Sequence, residues 1–165
     1  MAKESSFDIV SSVDMQEVDN AYGQAKKELS QRYDLKGSGS SITLDKSAKT
    51  ITVLAPSDFV AGQVIDVLNS KLIRRKVDIQ SLSWGNLENA AGGNVRKTAR
   101  IIEGIDRDTA SAINKDIKSQ KFKAKVQIEG DHLRVSSASK DTLQEIIAFV
   151  KTNDYGQPLQ FTNRR

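Results

Sequence analysis

Four cations crowd the end of one segment: Lys71, Arg74, Arg75 and Lys76 close the stretch SDFVAGQVIDVLNSKLIRRK. Ammonium and guanidinium groups at this density suit one chemistry above others, the holding of phosphate oxygens by charge-assisted hydrogen bonds. A competing role exists, because cations in the last turn of a helix complement its macrodipole, each by about 0.3–1 kcal/mol. That accounts for one or two of the four more readily than for all of them. A second group is Arg96, Lys97 and Arg100. Arg96, Thr98 and Arg100 share one face of a predicted strand, with the two guanidiniums expected about 7 Å apart, a phosphate spacing. Lys121, Lys123 and Lys125 alternate along a third segment, where lysines also guard a sheet edge. Arg164 and Arg165 in the tail form a fourth group. Trp84, the only tryptophan, is placed either to stack on a base or to pack beneath the connection that follows it.

Covalent chemistry has little to work with. The chain has one histidine, His132, and no cysteine, so nucleophile–base pairs and His- or Cys-rich metal sites cannot be assembled. No G-x-x-x-x-G-K-[ST] or G-x-G-x-x-G pattern occurs. The GSGSS run from Gly37 to Ser41 lacks the following lysine and precedes a hairpin strand, so it reads as a turn rather than a phosphate cradle. No cofactor and no metal are expected, and the chain is expected not to be an enzyme.

The net charge of +4 over 165 residues suits a polyanionic partner. The N-terminal MAKESSFDIV lacks the apolar core of a secretory signal, and no apolar run approaches the length of a membrane span. Cysteine is absent, which is compatible with a reducing cytoplasm. A cytoplasmic protein without membrane contact is the expectation.

The elements that must position these residues repeat. After a frayed start over residues 1–6, Phe7 to Ser12 alternates like a strand. Asp14 N-caps a helix and Glu17 completes a capping-box pattern. Ile42–Leu44 and Ile51–Val53 make a hairpin. Asp58 is the expected N-cap of a helix whose Val60, Val64, Val67, Leu68 and Leu72 form one apolar face. Val77 to Trp84 reads as a strand. GNLENAAGGN, residues 85–94, reads as a linker, and the same order then restarts. Val95 to Ile105 is a strand, Asp106 to Gln120 a helix, Phe122 to Ser136 a hairpin, the stretch from Lys140 or Asp141 to about Asn153 a helix, and Leu159 to Phe161 a last strand. IVSSVD (Ile9 to Asp14) matches IIEGID (Ile101 to Asp106), and Val64, Ile65 and Leu68 match Ile146, Ile147 and Val150. This predicts a tandem β-α-β-β-α-β duplication, α+β in class. Each ferredoxin-like copy would be a four-stranded antiparallel sheet with two helices on one face. The domains are expected at 1–84 and 95–165. The outward strand positions, among them Asp8, Thr50, Thr52, Arg134 and Ser136, include no aromatic, so base stacking on the sheets is disfavoured.

SFDIVSSVD, ITVLAPSDFVAGQVIDVLNSKLIRRKV, VQIEGDHLRVSSASKDTLQEIIAFV and GQPLQFTNRR together closely resemble the YajQ family of bacterial proteins, over nearly the whole chain. The resemblance implies tandem ferredoxin-like domains similar to the RNP fold. It also implies that the first strands, residues 7–12 and 95–105, are exchanged between the two domains. Its implied ligands are nucleotides, either RNA or, for some members, a cyclic dinucleotide such as cyclic di-GMP. A protein partner such as a transcription regulator is compatible with it. Leu35 in YDLKG and Arg164 in the closing NRR stand where relatives commonly carry an aromatic. The reading is therefore a non-catalytic nucleotide-binding protein that uses Lys71, Arg74, Arg75, Lys76, Arg96 and Arg100 near the domain junction, with Trp84 as the stacking candidate. The alternative is a protein–protein adaptor that uses its exposed sheet faces and binds no nucleotide.

Overall fold

A computed structural model describes residues 4–165. In chain order the strands are β1 (Ser5–Val10), β2 (Ser41–Asp45), β3 (Thr50–Ala55), β4 (Leu82–Trp84), β5 (Glu88–Asn89), β6 (Val95–Ile101), β7 (Lys125–Glu129), β8 (His132–Ser137) and β9 (Gln160–Thr162). The helices are α1 (Met15–Gln31), α2 (Asp58–Arg74), α3 (Arg107–Ser119) and α4 (Lys140–Lys151). Residues 1–3 of the expected frayed start lie outside the described residues, whereas Ser5 and Ser6 already belong to β1. Contacts divide the chain into two compact units. One is residues 13–102; the other joins the residues up to Ser12 to Glu103–Arg165.

In the 13–102 unit the sheet order is β2-β3-β6-β4, with β5 also paired to β6. Alternation decides what is buried. Ile51, Val53 and Ala55 of β3 and Ala99 and Ile101 of β6 point inward, and every one of them is buried. They meet Val18, Ala21, Ala25 and Leu29 of α1 and Val64, Val67, Leu68 and Leu72 of α2 in one core. The α1 stripe recurs at three- and four-residue spacing, and the helix starts where expected, with Asp14 Oδ1 accepting from the Gln16 and Glu17 amides. α2 starts one residue earlier than expected. Ser57 is its N-cap, accepting from Val60 N–H at 3.2 Å, and Asp58 is the first helical residue.

Three other expectations change. Ile79–Ser81 forms a turn of 3₁₀ helix rather than strand, capped by Asp78 at Gln80 N–H, and only Leu82–Trp84 pairs with β6. The stretch 85–94, expected as a linker, connects β4 to β6 within one sheet. It is held there by β5 and by a hydrogen bond from Gly85 N–H to Thr98 O at 2.8 Å. The strand expected over 95–105 ends at Ile101.

In the other unit the order is β7-β8-β1-β9. β1 runs antiparallel to both neighbours, with Phe7 opposite Val135 and Ile9 opposite Leu133 and Phe161. Phe7 and Ile9 are fully buried beneath α3 and α4, among Ile113, Ile146 and Ile147. The Phe7 and Phe161 rings meet edge to face, centroids 6.0 Å apart. On the outward face Asp8 is buried as well. Its carboxylate accepts from Arg134 Nε at 3.2 Å and from Asn163 Nδ2 at 2.7 Å. Tyr155, after α4, donates its hydroxyl to Asp116 of α3 at 2.8 Å.

Both groups couple stability to pH. Burial alone would raise the Asp8 pKa, but the Asn163 hydrogen bond and the Arg134 guanidinium outweigh it and leave the carboxyl below its ordinary 3.8. Its contribution is therefore complete above that value and lost as pH falls through the lower folded value. Asp8→Asn should flatten the acid limb of a stability–pH curve and cost about 1–3 kcal/mol at pH 7, measured by urea denaturation. The Tyr155 hydroxyl is pushed up to about 12 by burial and by its hydrogen bond to the Asp116 carboxylate. Its contribution is full below the unfolded value of 10.0 and fades as pH rises towards 12. Tyr155→Phe should lower stability by about 1 kcal/mol at pH 7 and remove that part of the alkaline decline.

Candidate functional site

The basic end of α2 is shaped by how the helix stops. Val77 N–H bonds to Leu72 O at 2.9 Å and Lys76 N–H to Ile73 O at 3.0 Å, the paired closure of a Schellman turn. Val77 and Leu72 are buried together beneath it. The turn needs one left-handed residue after the cap, and that residue is Lys76, at φ 60°. Glycine is usual there, and a side chain costs roughly 1 kcal/mol.

Two of the four cations tie α2 to α1. Lys71 Nζ lies 2.8 Å from Glu28 Oε1, with its side chain only 11% exposed. Arg75 reaches Glu17 Oε2 at 3.5 Å. The hydrogen bond from Lys71 holds the Glu28 carboxyl below its ordinary range against the opposing effect of burial, and Arg32 and Arg74 add to the depression. Glu17 spends its carboxylate on Arg75 and on Asn20, whose Nδ2 donates at 3.0 Å. A solvent-exposed pair contributes at most about 1 kcal/mol, and the more buried Lys71–Glu28 pair also carries a desolvation cost, whereas burying one Leu or Val contributes about 1.5–3 kcal/mol. The apolar stripe therefore holds the helices together and the ion pairs fix where the charges sit. Arg74 and Lys76 are exposed and have no ion-pair partner among the described residues.

Between the helices these side chains border an open groove of about 490 Å³, lined by Gln24, Lys27, Glu28, Gln31, Lys71, Arg74 and Arg75. Four cations stand there against one carboxylate. Lys27 and Glu28 escaped the sequence reading, and Glu17 was read as a capping-box residue, whereas its carboxylate meets Arg75 and Asn20. The only signal for the two acids as ion-pair partners was their position, each one residue away from the apolar stripe of α1.

Arg96 and Arg100 lie elsewhere. Their neighbours Ala99 and Ile101 point into the core, so they and Thr98 face the opposite side of the sheet from the helices. The six expected site cations therefore form two groups on two surfaces of the unit. Arg96 Nε is 3.7 Å from Glu88 Oε2. Arg100 has no ion-pair partner among the described residues. Four positions separate the two, so they stand about 13 Å apart along the strand, twice the separation expected. Between them the Thr52 and Thr98 hydroxyls approach to 3.4 Å. Trp84 is half-buried on the inward side and packs against the core.

The remaining candidates are placed as follows. Lys125 lies on β7, at the edge of its sheet, and Lys121 is the left-handed residue after α3, at φ 58°. His132 sits at the β7–β8 turn, 3.4 Å from Glu129 Oε2 and 3.2 Å from Asp131 Oδ1. Leu35 is a core residue, while Tyr33 beside it is 98% exposed. Among the described residues no three His, Asp or Glu side chains converge on a possible metal position, and no helix is long and apolar enough to cross a membrane.

Comparison with known proteins agrees with the quoted motifs. The family model described as "Nucleotide-binding protein YajQ-like" matches residues 5–165. A protein of Desulfitobacterium hafniense named "Nucleotide-binding protein" is 47% identical over 165 residues, all of both chains. One of the same name from Geotalea uraniireducens is 48% identical over 160 residues, 97% of this chain and 98% of its own. A third, from Alkaliphilus oremlandii, is 42% identical over the full length of both. A match across both units at this identity leaves no element outside the shared pattern: the chain belongs to the YajQ-like family.

Proposed function

We propose that this protein binds a nucleotide without transforming it, and that the groove between α1 and α2 receives the phosphates. The observation that carries the reading is the charge balance of that groove, four cations to one carboxylate, with Lys71 fixed by Glu28 and Arg75 by Glu17. Arg74 has no such employment and supplies free hydrogen-bond donors in the groove, and Lys76, at the end of α2 beyond the groove's lining, adds a further cation. A guanidinium offers a phosphate two parallel donors, while an ammonium acts as a point charge. The relatives' printed names support the same reading.

The finer reading is RNA or a cyclic dinucleotide as the ligand. Arg96 and Arg100, flanking the Thr52–Thr98 pair, form a second phosphate-facing surface that a longer strand would use and a dinucleotide would not. Neither surface carries a stacking aromatic, so recognition would be through the backbone with little sequence preference. We also read the two units as ferredoxin-like copies with exchanged first strands. Support comes from β1 pairing with β8 and β9, and β6 with β3 and β4.

Lys76→Gly separates the two roles of that position. It should stabilise the fold by about 0.5–1 kcal/mol, because glycine accepts the left-handed turn, and it should weaken RNA binding. Combined with Arg74→Ala, affinity for a short single-stranded RNA should fall roughly tenfold, and the slope of log affinity against log salt should shrink by about one to two. Fluorescence anisotropy across a salt series reads both quantities. If the double variant binds as wild type does, the α2 cluster is only a helix terminus and the reading fails.

A further inference from the structure

A second cavity, of about 230 Å³, opens in the unit formed by β1 and residues 103–165, between the start of β1, α4 and the tail. Its floor is apolar: Phe7, Leu143 and Ile147. Its rim is cationic: Lys140, Arg164 and Arg165. Among the described residues no Asp or Glu side chain lines it, and none of the three cations has an ion-pair partner. Arg165 is held at the rim by two backbone hydrogen bonds with Ser6, at 2.9 and 3.1 Å.

One feature of the cavity is not explained by core packing. Ser5 occupies an inward position of β1, in line with Phe7 and Ile9, where an apolar side chain would extend the core. It is 8% exposed and lines the cavity. Its hydroxyl has no hydrogen-bond partner among the described residues and is not sealed from solvent, since it opens into the cavity. Its cross-strand neighbour Ser137 is satisfied, donating to Lys123 O and accepting from Ser139 N–H. Lys140 is the first residue of α4 and is followed by Asp141, as Arg107 opens α3 and is followed by Asp108, so the acid next to it offsets its position at the helix start.

We propose that this cavity binds a small organic anion, one phosphate or carboxylate group on a short apolar or planar body. The charged group lies among Lys140, Arg164 and Arg165 with the Ser5 hydroxyl as a further donor, and the body rests on Phe7, Leu143 and Ile147. The volume is below the usual range for sites that enclose drug-sized ligands, which excludes a dinucleotide and separates this site from the α1–α2 groove.

Phenyl phosphate is the probe, with inorganic phosphate as its control, and backbone amide shifts of the full chain are the readout. Phenyl phosphate should shift residues 5–7, 140–147 and 164–165 in a saturable way, and inorganic phosphate should bind at least about tenfold more weakly. Lys140→Glu should weaken phenyl phosphate by at least about tenfold while the melting temperature holds or rises, because an acid suits that helix end. Ser5→Val should abolish saturation, and Ser5→Ala should only weaken it. Absence of saturable shifts at those residues overturns the proposal. So do equal responses to the two anions, or binding by Lys140→Glu that matches wild type. Shifts confined to residues 24–31 and 71–75 would assign the anion to the other groove and likewise overturn it.

Discussion

Each sheet in this molecule can bury one face only, and almost everything else follows from that. Side chains alternate along a strand, so a strand with an apolar inward row necessarily turns its other row to the opposite side. In the 13–102 unit that row is Arg96, Thr98, Arg100, Thr50 and Thr52. In the other unit it is Asp8, Arg134 and Ser136. The two helices on each inner face must match the sheet with an apolar stripe, and their remaining surface carries the charge. The same constraint places Arg96 and Arg100 on an outer strand row and Lys71 and Arg74 on α2. That is why Arg96 and Arg100 cannot join the α2 cluster in one site.

The parts legible in the sequence are those set by local periodicity. Val64, Val67, Leu68 and Leu72 announce the buried face of α2, and Asp14 announces the start of α1. The alternation around Ile51 and Val53 announces a hairpin and states which residues face out. What was not legible depends on partners far along the chain. Ile79 and Ser81 alternate like a strand, but the Asp78 cap draws them into a 3₁₀ turn. Glu88 and Asn89 have the composition of a loop and pair with β6 because the neighbouring strand offers free backbone groups. For the site, the crowding of Lys71 to Lys76 was visible. The division of labour within it was not, because Glu28 and Glu17 are ordinary surface acids until α1 is laid beside α2.

The cluster shows how a structural requirement and a binding surface can share adjacent residues. Lys71 and Arg75 are paired, and Leu72 and Val77 close the turn. Arg74 faces out between them, and Lys76 occupies a backbone conformation that glycine would fill at lower cost. Positions that oppose local preference without a compensating contact mark where something besides folding constrains the residue. Ser5 meets the same description in the other unit, as an inward hydroxyl with no hydrogen-bond partner among the described residues.

The place of β1 also sets an order of events during synthesis. Phe7 and Ile9 leave the ribosome first, yet their neighbours Leu133, Val135 and Phe161 come last. The 13–102 unit can complete its sheet once Ile101 has emerged, while the N-terminal strand, with its two large apolar side chains, still lacks partners. A nascent chain of this protein therefore carries an unpaired sticky strand through most of its translation. The early folding of the 13–102 unit behind it is the means at hand for keeping that strand out of wrong pairings.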